Sequence, residues 1–405
     1  MLCQFTFKNF LSYKDETVFD MQAVNIDEFK ESLIYSGKDN KLLLPVSVFY
    51  GPNGGGKSNV LQALSCLITQ IVNPIRLLDK NHRLNIMMMY EDCEPFIFDD
   101  LSKNEPTEFE IFFRTSKYEY RYNLSLFNGK VNAEYLYRKA IGGKRTAMLF
   151  SRSEGEIELG SLLKKSKISK EVNEKMPYLS FLSITYNLPI IKDSIEWFEK
   201  CILINCANHS LEEGIFFSEN PNFKKMFITM LNGMDIDISD FRIKINKEEK
   251  EVDIFTKHII DGKEYELNLL DESAGTAKVF CIIPQIIISL VEGRLTVLDE
   301  LDIKLHPKLL RFIISLYKNP QMNKKGSQLI FTSHCLTTMK NDLFRRDEIW
   351  FAAKNKKESS EIYSLYDIRD ENGERIRANS AFDKQYMEGR YGADPYLTTM
   401  LNWEV

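Results

Sequence analysis

Three short stretches carry the residues best suited to chemistry. The first is Gly51-Pro-Asn-Gly-Gly-Gly-Lys57-Ser58, which fits G-x-x-x-x-G-K-[ST] throughout. Glycines let a backbone wrap until successive N–H groups point at phosphate oxygens, and a helix starting there adds partial positive charge. Asn53, Gly54, Gly55, Gly56, Lys57, Ser58 and Asn59 are therefore the candidate residues for binding a nucleoside triphosphate. Lys57 would reach the β and γ phosphates, and Ser58 would offer its hydroxyl to Mg²⁺. A Gly-rich turn with an incidental lysine is the plainer alternative, and the flanking residues weigh against it. The second stretch, Leu295-Thr-Val-Leu-Asp299-Glu300, is an apolar run ending in two carboxylates. Consecutive strand residues face opposite ways, so Asp299 can turn toward Mg²⁺ while Glu300 faces an attacking water. The third is His334, at the end of the apolar run QLIFTSH, where a group sensing the γ-phosphate would sit.

These residues need elements that hold them at one edge of a sheet. Leu42–Tyr50 (LLLPVSVFY) is nearly continuous in apolar residues and reads as a buried strand. Residues after Ser58 have helical apolar spacing, so the chain runs strand, glycine loop, helix. Pro307 suits the first turn of a helix between the carboxylate and histidine strands. Open α/β sheets place ligands at the carboxyl ends of their strands.

Elsewhere, CQFTF and TVFDM alternate as strands, and TEFEIFFRT, YEYRYNLSLF and VNAEYLY read as an antiparallel meander with a turn at Asn128-Gly129. Lys and Glu rise from about 141 to 240, and helical periods around 168–174, 195–205 and 223–231 suggest a mainly helical insertion. FRIKIN, EVDIFTKHI and KEYELNL form a second β stretch. The expected division is 1–140, an N-terminal lobe; 141–240, the insertion; and 241–405, a C-terminal lobe.

The chain has 405 residues, 44% of them hydrophobic and 27% charged, which excludes a disordered or collagen-like class. Its formal net charge is −5, so any nucleic-acid surface must be a local patch. Lys164–Lys170 is such a basic run, although a solvated face is the favoured reading. Met87–Met89 reads as packing rather than a cofactor box. Seven scattered cysteines suggest free thiols in a reducing compartment. The five histidines lack metal spacing, and no zinc is expected. The apolar stretch Val279–Val291 is too short to span a bilayer and contains Gln285. The expected location is the cytoplasm, away from membranes.

Asp271-Glu-Ser273-Ala-Gly275-Thr-Ala-Lys278 opens the helix before the carboxylate strand. Ser273 can cap that helix and Gly275 permits close backbone approach. The order phosphate loop, insertion, Ser-x-Gly helix, Asp-Glu strand and His strand resembles the ABC-type ATPase heads of RecF, SMC proteins and the OLD family. Gly51–Ser58 resembles their Walker A, Ser273–Thr276 their signature, Leu295–Glu300 their Walker B with catalytic glutamate, Leu301–His306 their D-loop and His334 their switch histidine. Lys8-Asn-Phe10-Leu-Ser-Tyr13, Asp299-Glu-Leu-Asp302 and Gly389-Arg-Tyr-Gly-Ala393 narrow the resemblance. They are similar to bacterial abortive-infection ATP-binding proteins such as RloA, AbiLii, AriA and PtuA.

The resemblance implies an α/β fold: an ABC-type P-loop ATPase head with a mixed sheet, an antiparallel β subdomain and a mainly helical insertion. It implies ATP and Mg²⁺ as cofactors, with Ser58 and Asp299 on the metal and Glu300 and His334 catalytic. A homodimer or higher oligomer would sandwich ATP, with Ser273 and Gly275 acting in trans. The signature reads Ser-Ala-Gly-Thr, unlike that of transporters. About 70 residues follow His334, too few for the nuclease domain of OLD proteins. The implied role is therefore an anti-phage sensor, regulator or scaffold controlling a separate effector protein, a nuclease or other toxin. A RecF- or SMC-like DNA-repair clamp, contacting nucleic acid, is the alternative.

Overall fold

The computed structural model describes residues 1–37, 39–78, 93–164, 167–206, 220–246 and 251–393. Met87–Met89 and part of the Lys164–Lys170 run lie outside those residues. The fold is the mixed α/β architecture expected.

Its centre is a six-stranded sheet. The strands run, in order, Ile202–Asn205, Leu295–Asp299, Gln328–Thr332, Val46–Tyr50, Ile349–Lys354 and Ser360–Ser364. All neighbours are parallel except the last pair. The middle strands are buried along their whole length, as expected for parallel strands covered on both faces. Their side chains alternate between two cores. Phe49, Leu295, Val297 and Ile330 face the helix Lys57–Arg76 and a second sheet. Val46, Val48, Leu298, Leu329 and Phe331 face the helices Ala274–Glu292 and Pro307–Lys318.

The second sheet has seven antiparallel strands. It contains the N-terminal pair Leu2–Lys8 and Thr17–Asp20 and the expected meander, Thr107–Arg114, Tyr118–Phe127 and Lys130–Ala140. Gln328 joins the two sheets. Its buried side chain accepts from Leu2 N–H at 2.6 Å and donates to the carbonyls of Leu2 and Leu44 at 3.0 and 3.1 Å.

Several elements differ from expectation. The run Leu42–Tyr50 is split at Pro45, which lacks a donor for a ladder. Leu42–Leu43 pairs with Ile34–Tyr35, and only Val46–Tyr50 enters the central sheet. The stretch 141–240 holds the helices Tyr178–Thr185, Pro189–Glu199 and Pro221–Gly233, but it opens with strands Thr146–Ser153 and Glu156–Leu159, which extend the antiparallel sheet. Residues 168–173 are not helical. The helical period through 195–205 breaks at Cys201, and Ile202–Asn205 becomes the edge strand beside Leu295–Asp299. Apolar residues in that run serve a sheet because Thr296–Asp299 supplies the ladder.

Cys66 and Cys93 form a disulfide, so not all seven thiols are free. They lie 27 residues apart in sequence, with Cα atoms 6.7 Å apart, a pairing that only the fold reveals. One described helix, Ala274–Glu292, is long and apolar enough to cross a membrane. Most of its side chains are instead buried in the protein core.

Candidate nucleotide site

Val46–Tyr50 ends in the middle of the parallel sheet, and Lys57–Arg76 begins seven residues later. The loop between them is tightly held. Gly51 has φ 146°, and a Cβ there would lie 2.2 Å from the carbonyl oxygen of Ala352. Gly56 has φ 108°, and a Cβ would meet the Ser360 hydroxyl at 2.6 Å and the Tyr13 hydroxyl at 2.9 Å. Both positions need glycine for conformation and for room. Gly55 and Gly56 are buried, whereas Asn53 and Gly54 are exposed at the loop's tip. The cradle is thus packed from behind and open in front, which fits a triphosphate.

Lys57 is buried, and its ammonium donates to the carbonyls of Gly51 and Pro52 at 2.9 and 3.0 Å. Burial lowers its pKa, while Asp299, Asp302 and Glu300 oppose that shift. The lysine is therefore folded over its own loop beside a group of carboxylates.

Asp299 is where two strand ends and a helix start meet. Its Oδ1 accepts from the Ser58 hydroxyl at 3.1 Å and from the Thr332 hydroxyl at 2.6 Å. Ser58 and Asp299, 241 residues apart in sequence, thus present neighbouring oxygens. A hydroxyl and a carboxylate are the donor set a Mg²⁺ ion prefers. Glu300 comes next, with φ 56°, a left-handed conformation uncommon outside glycine. Its N–H donates to the Thr332 hydroxyl at 2.7 Å. One threonine therefore fixes both members of the carboxylate pair.

His334 is exposed two residues beyond that threonine's strand, and its N–H donates to Asp302 Oδ2 at 2.8 Å. Asn59 donates to the Ser12 hydroxyl at 2.7 Å, which also receives the Ser360 hydroxyl at 2.8 Å. Tyr13 donates to the Gly56 carbonyl at 3.1 Å. The Lys8–Tyr13 segment therefore braces the phosphate loop. Thr332 and Ser360 escaped sequence reasoning as site residues, whereas Asp302 lies in the Leu301–His306 segment that it singled out. Nothing in a lone Thr or Ser marks it as the brace of a carboxylate 33 residues away.

Ser273 and Gly275 are placed apart from this cluster. Ser273 caps Ala274–Glu292, accepting from Thr276 N–H at 3.0 Å. Together with Gly275, Lys304, His306 and Lys308 it lines an open cleft of about 750 Å³. The phosphate loop does not contribute to the lining of that cleft. One chain therefore holds these two groups of candidate residues in separate places.

A profile of the family described as "AAA domain, putative AbiEii toxin, Type IV TA system" matches residues 46–339. The chain belongs to this family. The match runs from the first residue of the phosphate-loop strand past His334 and takes in every candidate site residue. The protein is accordingly a P-loop ATPase of the AAA type. No curated protein matches. Similar solved structures include two of the recombination mediator protein RecF, one described as RecF-ATPrS and one as RecF-ATP, both in the RecFOR pathway. Each is 13% identical to this chain. The first covers 86% of this chain and 97% of its own with a TM-score of 0.27; the second covers 82% and 91% with a TM-score of 0.26. Scores that low carry no argument about this chain.

Proposed function

We propose that the protein binds ATP with Mg²⁺ and hydrolyses it, and that this cycle regulates a separate effector in a bacterial anti-phage module. The observation that carries the reading is the convergence of Ser58, Thr332 and Asp299 beside Lys57. Mg²⁺, when bound, would offset phosphate charge between Ser58 and Asp299. The backbone of Asn53–Lys57 would cradle the phosphates, and Lys57 would exchange its two carbonyl partners for phosphate oxygens. Asn59 would stay near the cradle through Ser12. Glu300 would accept a proton from, or orient, the attacking water. His334 would contact the γ-phosphate and report its loss to Asp302 through the backbone.

Ser273 and Gly275 would act on the nucleotide of a second copy. The serine cap leaves the helix start turned toward an open cleft, and the helix N-terminus favours anions there. ATP would then hold two chains together, and hydrolysis would release them. The family's toxin–antitoxin description supports placing this cycle in a defence module with a partner protein, in the manner of the abortive-infection proteins the sequence resembles. The cytoplasm is the compartment this role requires.

The test is Mg-dependent ATP hydrolysis by wild type and Glu300→Gln. The expected loss in the variant is on the order of a hundredfold or more, the range of general acid–base contributions. Hydrolysis at the wild-type rate would remove Glu300 from the mechanism. Copurification with the proteins encoded beside it tests the regulatory role. A stoichiometric partner supports it, whereas a homodimer carrying DNA would favour the repair-type clamp.

A further inference from the structure

Lys278 is a lysine in the wrong place for an ordinary one. It is the fifth residue of the helix Ala274–Glu292 and 1% exposed. Val279 and Phe280 beside it are equally buried. Among the described residues its ammonium finds no carboxylate partner at ion-pair distance; it donates to two backbone carbonyls, Glu300 at 2.9 Å and Ile303 at 2.6 Å. Burying an ammonium among carbonyls is costly, and an apolar side chain of similar volume would avoid that cost. The turn it holds explains its presence.

That turn, Glu300–Leu305, has two residues in left-handed conformation, Glu300 with φ 56° and Lys304 with φ 61°. Such conformations cost about 1 kcal/mol or more for residues with side chains and persist only when surroundings impose them. Glu300 is fixed on its amino side by Thr332 and on its carbonyl side by Lys278. The same helix touches the same turn a second time: a Cβ on Gly275 would lie 3.0 Å from the carbonyl oxygen of Lys304. Ser273, Gly275 and Lys278 therefore lie along one helix start, and the turn that begins at Glu300 meets it and reaches the same cleft through Lys304.

We propose that Lys278 is a positioning residue that couples the Ser273–Gly275 helix start to the placement of Glu300. The inference rests on the reading of Glu300 as the residue that acts on water. Whatever engages Ser273 and Gly275 moves or steadies this helix, and Lys278 passes that to the Glu300 carbonyl. The contacts of Lys278 and Gly275 with this turn involve no residue of Gly51–Ser58; they meet the nucleotide side at Thr332, whose hydroxyl holds both Glu300 N–H and Asp299.

The experiment measures kcat and KM for MgATP hydrolysis in wild type, Lys278→Met, Lys278→Arg and Glu300→Gln, with nucleotide binding measured directly. Lys278→Met should lower kcat at least tenfold while KM and ATP affinity stay within threefold. Lys278→Arg, which still donates to both carbonyls, should recover kcat to within threefold of wild type. A wild-type kcat in Lys278→Met overturns the proposal. So does loss of ATP binding in step with turnover, which would mark Lys278 as a plain support of the fold. Should Lys278→Met fail to fold, the alkaline pH profiles of wild type and Lys278→Arg decide. Burial lowers the lysine's pKa, opposed by the facing Cys206, Asp302 and Glu300 and assisted by Lys304. An alkaline fall in kcat present in wild type and absent in the arginine variant is expected; coincident profiles overturn the proposal. If Glu300→Gln itself turns over like wild type, the reading of the site fails and this proposal with it. If Glu300→Gln is inactive and Lys278→Met is not, only the role of Lys278 fails.

Discussion

At Asp299 two hydroxyls share one carboxylate oxygen, and each comes from a different strand or helix end. Replacing Asp299 with Asn would keep the shape and remove the charge. The expected result is intact folding with Mg-dependent ATP affinity reduced tenfold or more, read by titration with and without the metal. Gly56→Ala is a harsher change. Its Cβ would sit within 2.9 Å of Ser360 and Tyr13 at a φ of 108°, so the loop must shift. The account predicts ATP binding lost and thermal stability reduced by about 1–3 kcal/mol, the range for strained positions. The Walker-type residues were legible in sequence because phosphate chemistry demands their types at fixed spacing. Thr332 and Lys278 were not, since their roles depend on which backbone group lies across from them. Ser12, inside the Lys8–Tyr13 segment, gains a role only by touching Asn59 and Ser360.

At the scale of elements, the parallel strands were legible as apolar runs with a ligand-bearing end. Ile202–Asn205 was not, because three apolar residues before an Asn fit a helix or a strand equally well and only the neighbouring strand decides. The start of the Ala274–Glu292 helix was read correctly from Ser273. Ser273→Ala should free the Thr276 amide and loosen the first turn by about 1 kcal/mol, visible as faster hydrogen exchange there, with turnover falling if the helix start meets phosphate. The Cys66–Cys93 bond fastens the helix after the phosphate loop to the segment whose Glu94 carbonyl accepts from Leu11 N–H and whose Phe96 N–H donates to Asn9. Alkylation of the denatured protein should label five cysteines without reductant and seven with it. Seven in both conditions would show that this fastening is absent in solution.

Across the whole molecule, two sheets are locked by the buried Gln328, and the candidate nucleotide site lies where the parallel sheet meets its loops. The mixed α/β layout around the phosphate loop was legible from the order of its motifs. The arrangement of the 141–240 stretch was not: its first two strands join the antiparallel sheet and Ile202–Asn205 joins the central one. Its helices Tyr178–Thr185 and Pro189–Glu199 pack near the Lys57–Arg76 helix and Pro221–Gly233 packs near Ala274–Glu292, so the stretch is built into the rest of the fold. The central claim is that the phosphate-loop half-site and the Ser273 half-site meet only between two copies. Light scattering of Glu300→Gln with MgATP or MgADP tests it most directly. The account predicts a mass twice the 47.2 kDa of the chain with MgATP, and dissociation with MgADP or when Ser273 is also replaced by Arg. A mass that does not respond to the nucleotide or to Ser273 would contradict it.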